Sequence, residues 1–146
     1  MTRELQEIGL SVKRLQMRHH RAINEALAPL RVSLVQWDAL RNFHQNPGAS
    51  LHDLAQLTFQ SDQPFGTLAG RMIDRGLIER VPGPGRAVRH QLTDKGRGLR
   101  LTGGQVVDRV LSNSLANLSP KQLARFDKIL GILLNSAEST PGNETR

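Results

Sequence analysis

Gln63, Thr67 and Arg71 recur at every fourth position of one segment, with Pro64 near its start and Gly66 and Gly70 beside them. On a helix this spacing lines an amide, a hydroxyl and a guanidinium along one face. Those groups suit the donor and acceptor pattern of base edges and phosphate oxygens in duplex DNA, and the glycines let a helix backbone approach closely. A merely solvated helical face could carry the same polar residues. Each glycine, however, lowers helix propensity by about 1 kcal/mol with no evident packing return. Further on, Arg86 and Arg89 flank a turn rich in proline and glycine, where a guanidinium could enter a narrow, negative minor groove. Gln63, Pro64, Gly66, Thr67, Gly70, Arg71, Arg86 and Arg89 are therefore the candidate DNA contacts.

Composition narrows the chemistry. Of the formal charge of +7 over 146 residues, a surplus of four lies between Gln60 and Arg100, where eight basic residues face four acidic ones. Such a surplus attracts polyanions without choosing among them. The chain has no cysteine, which removes disulfides, thiolate zinc sites and cysteine redox switches. His19, His20, His44, His52 and His90 form no close i, i+4 pair, so no metal is expected. The spacing yields no nucleophile with an adjacent base and no carboxylate pair, so neither an enzyme nor a cofactor is expected. Gly83 to Val88 begins like a phosphate loop but leads into a strand and not a helix N-terminus, and reads as a turn. No apolar run is long enough for a membrane span or a signal core, which points to a soluble, cytoplasmic protein with no membrane partner.

The elements that must position these residues can be read from caps and breakers. Apolar steps at Leu5, Ile8, Val12, Leu15, Ala22 and Ala26, with His19 on the same stripe, predict a long first helix closed by Pro29. A capping-box spacing from Ser33 to Gln36 opens a second helix with Leu34, Trp37, Leu40 and His44 inward, ending near Asn46 before Pro47-Gly48. Ser50 and Asp53 repeat the box for a short helix from Leu51 to Leu57. Ser61 is the expected cap of a fourth helix, with Phe65, Leu68, Met72 and Ile73 inward and Gly76 at its end. Two strands, Leu77 to Val81 and Ala87 to Leu92, surround the turn at 82–86. Thr93 caps a fifth helix that the Gly103-Gly104 pair should weaken or bend. Ser119 to Gln122 opens a sixth with Leu123, Phe126, Ile129, Leu130, Leu133 and Leu134 inward.

This order is mainly α with a small β-hairpin wing (α+β): a winged helix-turn-helix with long terminal helices. The expected organisation is one structural domain. Residues 33–93 form the DNA-binding region, 1–30 and 94–137 a helical dimerisation region, and 138–146 a flexible tail.

The stretches Leu34-Val-Gln-Trp-Asp-Ala-Leu40, Met72-Ile-Asp-Arg-Gly-Leu-Ile-Glu-Arg80, Arg86-Ala-Val and Gln91-Leu-Thr-Asp-Lys-Gly-Arg97 together resemble the MarR family of bacterial transcription regulators. The resemblance runs from about Leu5 to Leu134. It implies a triangular homodimer with the first, fifth and sixth helices interleaved and two winged heads set on a pseudo-palindromic operator. It implies repression, with release by a small aromatic or phenolic effector. Family pockets lie between the second helix and the dimerisation helices, so His19, Trp37 and His44 are the candidate pocket residues; for Trp37, core packing is the competing role. Family wings carry an aspartate before the tip arginine, where this chain has Gly83, Pro84 and Gly85; Arg86 is the arginine carried over. Two other readings use the same basic face: a winged-helix module that binds an acidic protein, and a nonspecific DNA-binding protein.

Overall fold

The computed structural model describes residues 3–82, 85 and 88–138. Its elements are α1 (Leu5–Leu27), a 3-10 turn (Ala28–Leu30), α2 (Leu34–Gln45), α3 (Leu51–Leu57), α4 (Asp62–Asp74), β1 (Ile78–Pro82), β2 (Val88–Leu92), α5 (Asp94–Leu115) and α6 (Pro120–Glu138). The chain forms two compact units, 1–110 and 111–146.

Local hydrogen bonds set most of the boundaries. At α2 the Gln36 amide donates to Ser33 Oγ (3.2 Å) and the Ser33 amide to Gln36 Oε1 (3.1 Å), so two orphan donors of the first turn are satisfied reciprocally. Ser50 and Asp53 do the same at α3. The Ser50 hydroxyl and amide hold the Asp53 carboxyl below the usual carboxylate range. Ser119 and Gln122 box the start of α6. Ser61 departs from expectation: it has the extended backbone of a cap, but its side chain makes no capping bond. Its carbonyl still accepts the Phe65 amide (3.2 Å), and Asp62 puts a negative charge in the first turn of α4.

The core of the first unit gathers Ala39, Leu40 and Phe43 from α2, Leu54 and Ala55 from α3, Phe65, Ala69 and Met72 from α4, and Leu77, Ile78 and Leu92 from the hairpin and its approach. Two expected stripes are rotated. On α2 the inward residue is Phe43, stacked on Phe65 with ring centroids 6.0 Å apart, and His44 is exposed. On α4 the centre of the buried face is Ala69, while Leu68 and Ile73 are half-buried at its flanks. The small Ala69 side chain lies between Phe65 and Met72, both fully buried.

β1 and β2 pair antiparallel, Ile78 opposite Leu92 and Val81 opposite Arg89, and pairing continues to Pro82 opposite Val88. The Thr93 hydroxyl accepts the Gly96 amide (3.1 Å) and donates to the Gly76 carbonyl (2.6 Å), capping α5 and tying it to the end of α4. A β-carbon on Gly96 would lie 2.0 Å from the Leu77 carbonyl oxygen, so only glycine allows this approach. The Gly103-Gly104 pair does not interrupt α5, which runs unbroken through it. A β-carbon on Gly103 would meet Trp37 Cδ1 at 2.6 Å: the glycine admits the indole.

The long terminal helices leave much of their apolar surface uncovered. On α1 only Ile23 and Leu27 are buried, while Leu5 is 85% exposed and Ile8, Val12 and Met17 are exposed as well. On α6 the expected inward residues Leu123, Ile129, Leu130, Leu133 and Leu134 are all exposed, and Phe126 is half-buried. The apolar stripe of α6 keeps the helical period that the spacing predicts and lies exposed. Residues 139–146, expected to fray, lie outside the described residues.

Candidate nucleic-acid interface

Burial of Phe65, Ala69 and Met72 fixes the rotation of α4 about its axis. The opposite face then carries Gln63, Thr67 and Arg71, all exposed, as the spacing implies. These three line a shallow hollow of about 420 Å³ together with Pro64, Gln60 and Leu68. The Thr67 hydroxyl donates to the Gln63 carbonyl (3.1 Å), which leaves its oxygen as an acceptor toward solvent. Gly66 and Gly70 are half-exposed, and a β-carbon on either would meet nothing within 4 Å. Neither has a positive φ.

Contacts that single residues do not reveal brace this helix. His52 Nδ1 lies 2.8 Å from Asp62 Oδ1, an ion pair when the ring is protonated, and joins the first turn of α3 to that of α4. Lys95 Nζ donates to the Arg75 carbonyl (2.9 Å), a cation at the negative end of α4. Arg97 donates to the Leu92 carbonyl (2.8 Å) and pairs with Asp94. Part of the basic surplus is thus engaged in holding α5 to the head.

At the hairpin, Arg89 is half-buried and does not line the α4 hollow. It borders a separate groove of about 360 Å³ at the root of the wing, with Phe43, His44, Pro47, His90 and Arg97. Burial, and then the cross-strand Arg80 guanidinium, lower the His90 pKa below the ordinary imidazole value. Arg86 lies outside the described residues, as does the rest of the wing tip except Gly85.

Of the candidate pocket residues, Trp37 and His44 border different hollows. Trp37 is half-buried against α5, its Nε1 donating to the Arg100 carbonyl (3.1 Å). It borders a hollow of about 370 Å³ with Arg41, Arg100, Gln105 and Asp108. Arg100 Nε is buried and finds no hydrogen-bond partner among the described residues. His44 lines the wing-root groove, and His19 is half-buried on α1. Among the described residues no three His, Asp or Glu side chains are placed to hold a metal, and no helix is long and apolar enough to cross a membrane.

Two helices joined by a tight turn, the second with a bare polar face, followed by an antiparallel hairpin, define a winged helix-turn-helix. The MarR family model matches residues 32–87. The HTH-type transcriptional repressor Rv2887 of Mycobacterium tuberculosis (strain ATCC 25618 / H37Rv) is 30% identical over 110 residues, 74% of this chain and 79% of the relative. The crystal structure of the M. tuberculosis MarR family protein Rv2887 with salicylic acid superposes with a TM-score of 0.74 at 28% identity, covering 90% of this chain and 97% of that one. The structure of Rv2887 with DNA gives a TM-score of 0.75 at 26% identity, covering 90% and 98%. The chain belongs to the MarR family of winged helix-turn-helix transcription regulators, which are not enzymes.

Proposed function

We propose that the protein is a cytoplasmic, homodimeric repressor that places α4 of each protomer in successive major grooves of a pseudo-palindromic operator. Gln63 and Thr67 meet base edges, Arg71 meets a guanine or a phosphate, and Pro64 lies in the first turn beside them. Arg86 and Arg89 carry the wing toward the adjacent minor groove. The observation that carries this reading is the bareness of Gly66 and Gly70: neither φ nor packing among the described residues asks for glycine there. A groove wall that must come close to the helix backbone does ask for it. The uncovered leucines of α1 and α6 supply apolar surface for a second copy.

The Rv2887 complex with salicylic acid supports a small aromatic acid as effector. We place it in the Trp37 hollow, where an indole flank and the Arg41 and Arg100 guanidiniums suit a ring and a carboxylate. Binding there acts on α2 and α5. It represses DNA binding by moving the two recognition helices off the spacing of one helical turn, about 34 Å, that successive grooves require.

The test is fluorescence anisotropy on the DNA upstream of the protein's own gene, with nonspecific competitor, for wild type and Arg71→Ala. Saturation at two protomers per site, weakened by the substitution, is the expected result. Loss of binding to any competitor alike would favour a nonspecific binder or a protein-interaction module.

A further inference from the structure

The turn between α3 and α4 holds a side chain that the core does not use. Phe59 is 98% exposed, the most exposed large apolar residue among the described ones, and its φ is 57°. The backbone there is dictated by how α3 ends. The Gln60 amide donates to the Ala55 carbonyl (2.8 Å) and the Phe59 amide to the Gln56 carbonyl (3.1 Å). This bond pair closes a helix with one left-handed residue just past its end.

α4 closes in the same way, with the Leu77 amide on the Met72 carbonyl and the Gly76 amide on the Ile73 carbonyl, both 2.9 Å. There the left-handed residue is a glycine, at φ 69°. Two successive helices therefore share one ending, once with the residue the geometry favours and once with a bulky aromatic. At position 59 glycine or asparagine would relieve the backbone and leave no ring in water. Strain retained together with exposure marks a residue kept for a contact outside the chain.

Position narrows that contact. Phe59 stands two residues before Ser61, the residue that immediately precedes α4. The intervening Gln60 lines the same hollow as Gln63, Pro64, Thr67 and Arg71. Of the other apolar side chains near it, Leu57, beside it in sequence, is 51% exposed, and Val35, which lines the same hollow as Gln60, is 38% exposed; single residues of this kind make a patch far too small to dock a protein. Duplex DNA, in contrast, offers isolated apolar targets next to any groove-bound helix: thymine methyl groups and the hydrogen-bearing faces of deoxyribose.

We propose that Phe59 is an apolar DNA contact, its ring seated on a thymine methyl or a deoxyribose face at the edge of the groove that α4 enters. This rests on the DNA-binding role proposed for α4. Phe59 extends the interface from the polar face of α4 into the helix-turn-helix turn and adds to it a contact that carries no charge.

The experiment compares wild type, Phe59→Gly and Phe59→Tyr on a duplex selected by the wild type from a random-sequence pool, with anisotropy, thermal melting and light scattering. Phe59→Gly is expected to melt about 2–4 °C higher as the left-handed strain is relieved. It is expected to bind about tenfold more weakly, with an unchanged salt slope because no phosphate contact is lost. Phe59→Tyr, which keeps the ring, retains wild-type binding. Replacing single thymines by deoxyuridine separates the two targets. For a methyl contact, one replacement weakens the wild type and leaves Phe59→Gly unchanged; for a sugar contact, none does. Wild-type affinity in Phe59→Gly overturns the proposal. So does a shift of that variant from dimer to monomer, which would mean that a second copy covers the ring. Failure of the wild type to select any duplex removes the role of α4 and this contact with it.

Discussion

Replacing Gly66 and Gly70 by alanine together separates stability from recognition on α4. Both positions lie inside the helix, neither has a positive φ, and a β-carbon at either meets nothing within 4 Å. With no clash to offset it, each substitution removes the entropic penalty of a helical glycine, about 0.5–1 kcal/mol. The pair therefore stabilises each protomer by about 1–2 kcal/mol. Urea unfolding should show this as a higher midpoint with an unchanged slope. Gly96→Ala is the internal contrast: its β-carbon would sit 2.0 Å from the Leu77 carbonyl oxygen, and the midpoint should fall by an amount equivalent to about 1–3 kcal/mol. On DNA the stabilised double variant should lose about tenfold or more in affinity, because two methyl groups hold the helix away from the groove wall and about 1.4 kcal/mol of lost contact is a factor of ten. Undiminished operator binding by the stabilised variant would refute the close-approach reasoning. A drop in its stability would show that the glycines serve packing.

Trp37 is the only tryptophan, so its emission reports on the hollow it borders: titration with salicylic acid should quench it saturably, and Arg41→Ala should weaken that binding, whereas a linear, unsaturable response would exclude the site. Leu130→Glu with Leu133→Glu places charges on the uncovered stripe of α6; light scattering should report monomers and operator binding should collapse, and an intact dimer would move the interface elsewhere. The lowered His90 pKa sets a sign for pH. Below the ordinary value of 6.5 the unfolded chain binds a proton that folded His90 still refuses, so this contribution to stability is complete above that pH and falls as pH drops toward the lowered folded value. His90→Gln should therefore lose less stability than wild type between about pH 7.5 and 5.5; equal losses would contradict the burial of this ring.

Features decided within a few residues were legible in the sequence. The boxes at Ser33 and Gln36, Ser50 and Asp53, and Ser119 and Gln122 are local, and the helices begin where they indicate. The exposed face of α4 followed from its period alone. Features set by a partner far along the chain were not legible. Whether Phe43 or His44 turns inward depends on Phe65, which another helix supplies. The packing reason for Gly103 has no trace in the sequence, because the indole it accommodates arrives from another helix. Phe59 gave no signal, since its oddity is a backbone angle imposed by the end of α3. Trp37 and His44 lie seven residues apart on α2, yet α5 supplies the neighbours of the one and the hairpin those of the other, a matter of tertiary arrangement.

The central claim, that α4 reads duplex sequence as part of a dimer, is tested most directly by selecting random-sequence duplexes on the full chain and sequencing the bound fraction. The expected outcome is an inverted repeat whose half-sites lie one helical turn apart, about 34 Å, with information concentrated where Gln63, Thr67 and Arg71 reach. That information should shrink at one position per half-site in Gln63→Ala. Enrichment of no motif, with binding that depends on salt alone, would contradict the claim and leave only a basic surface.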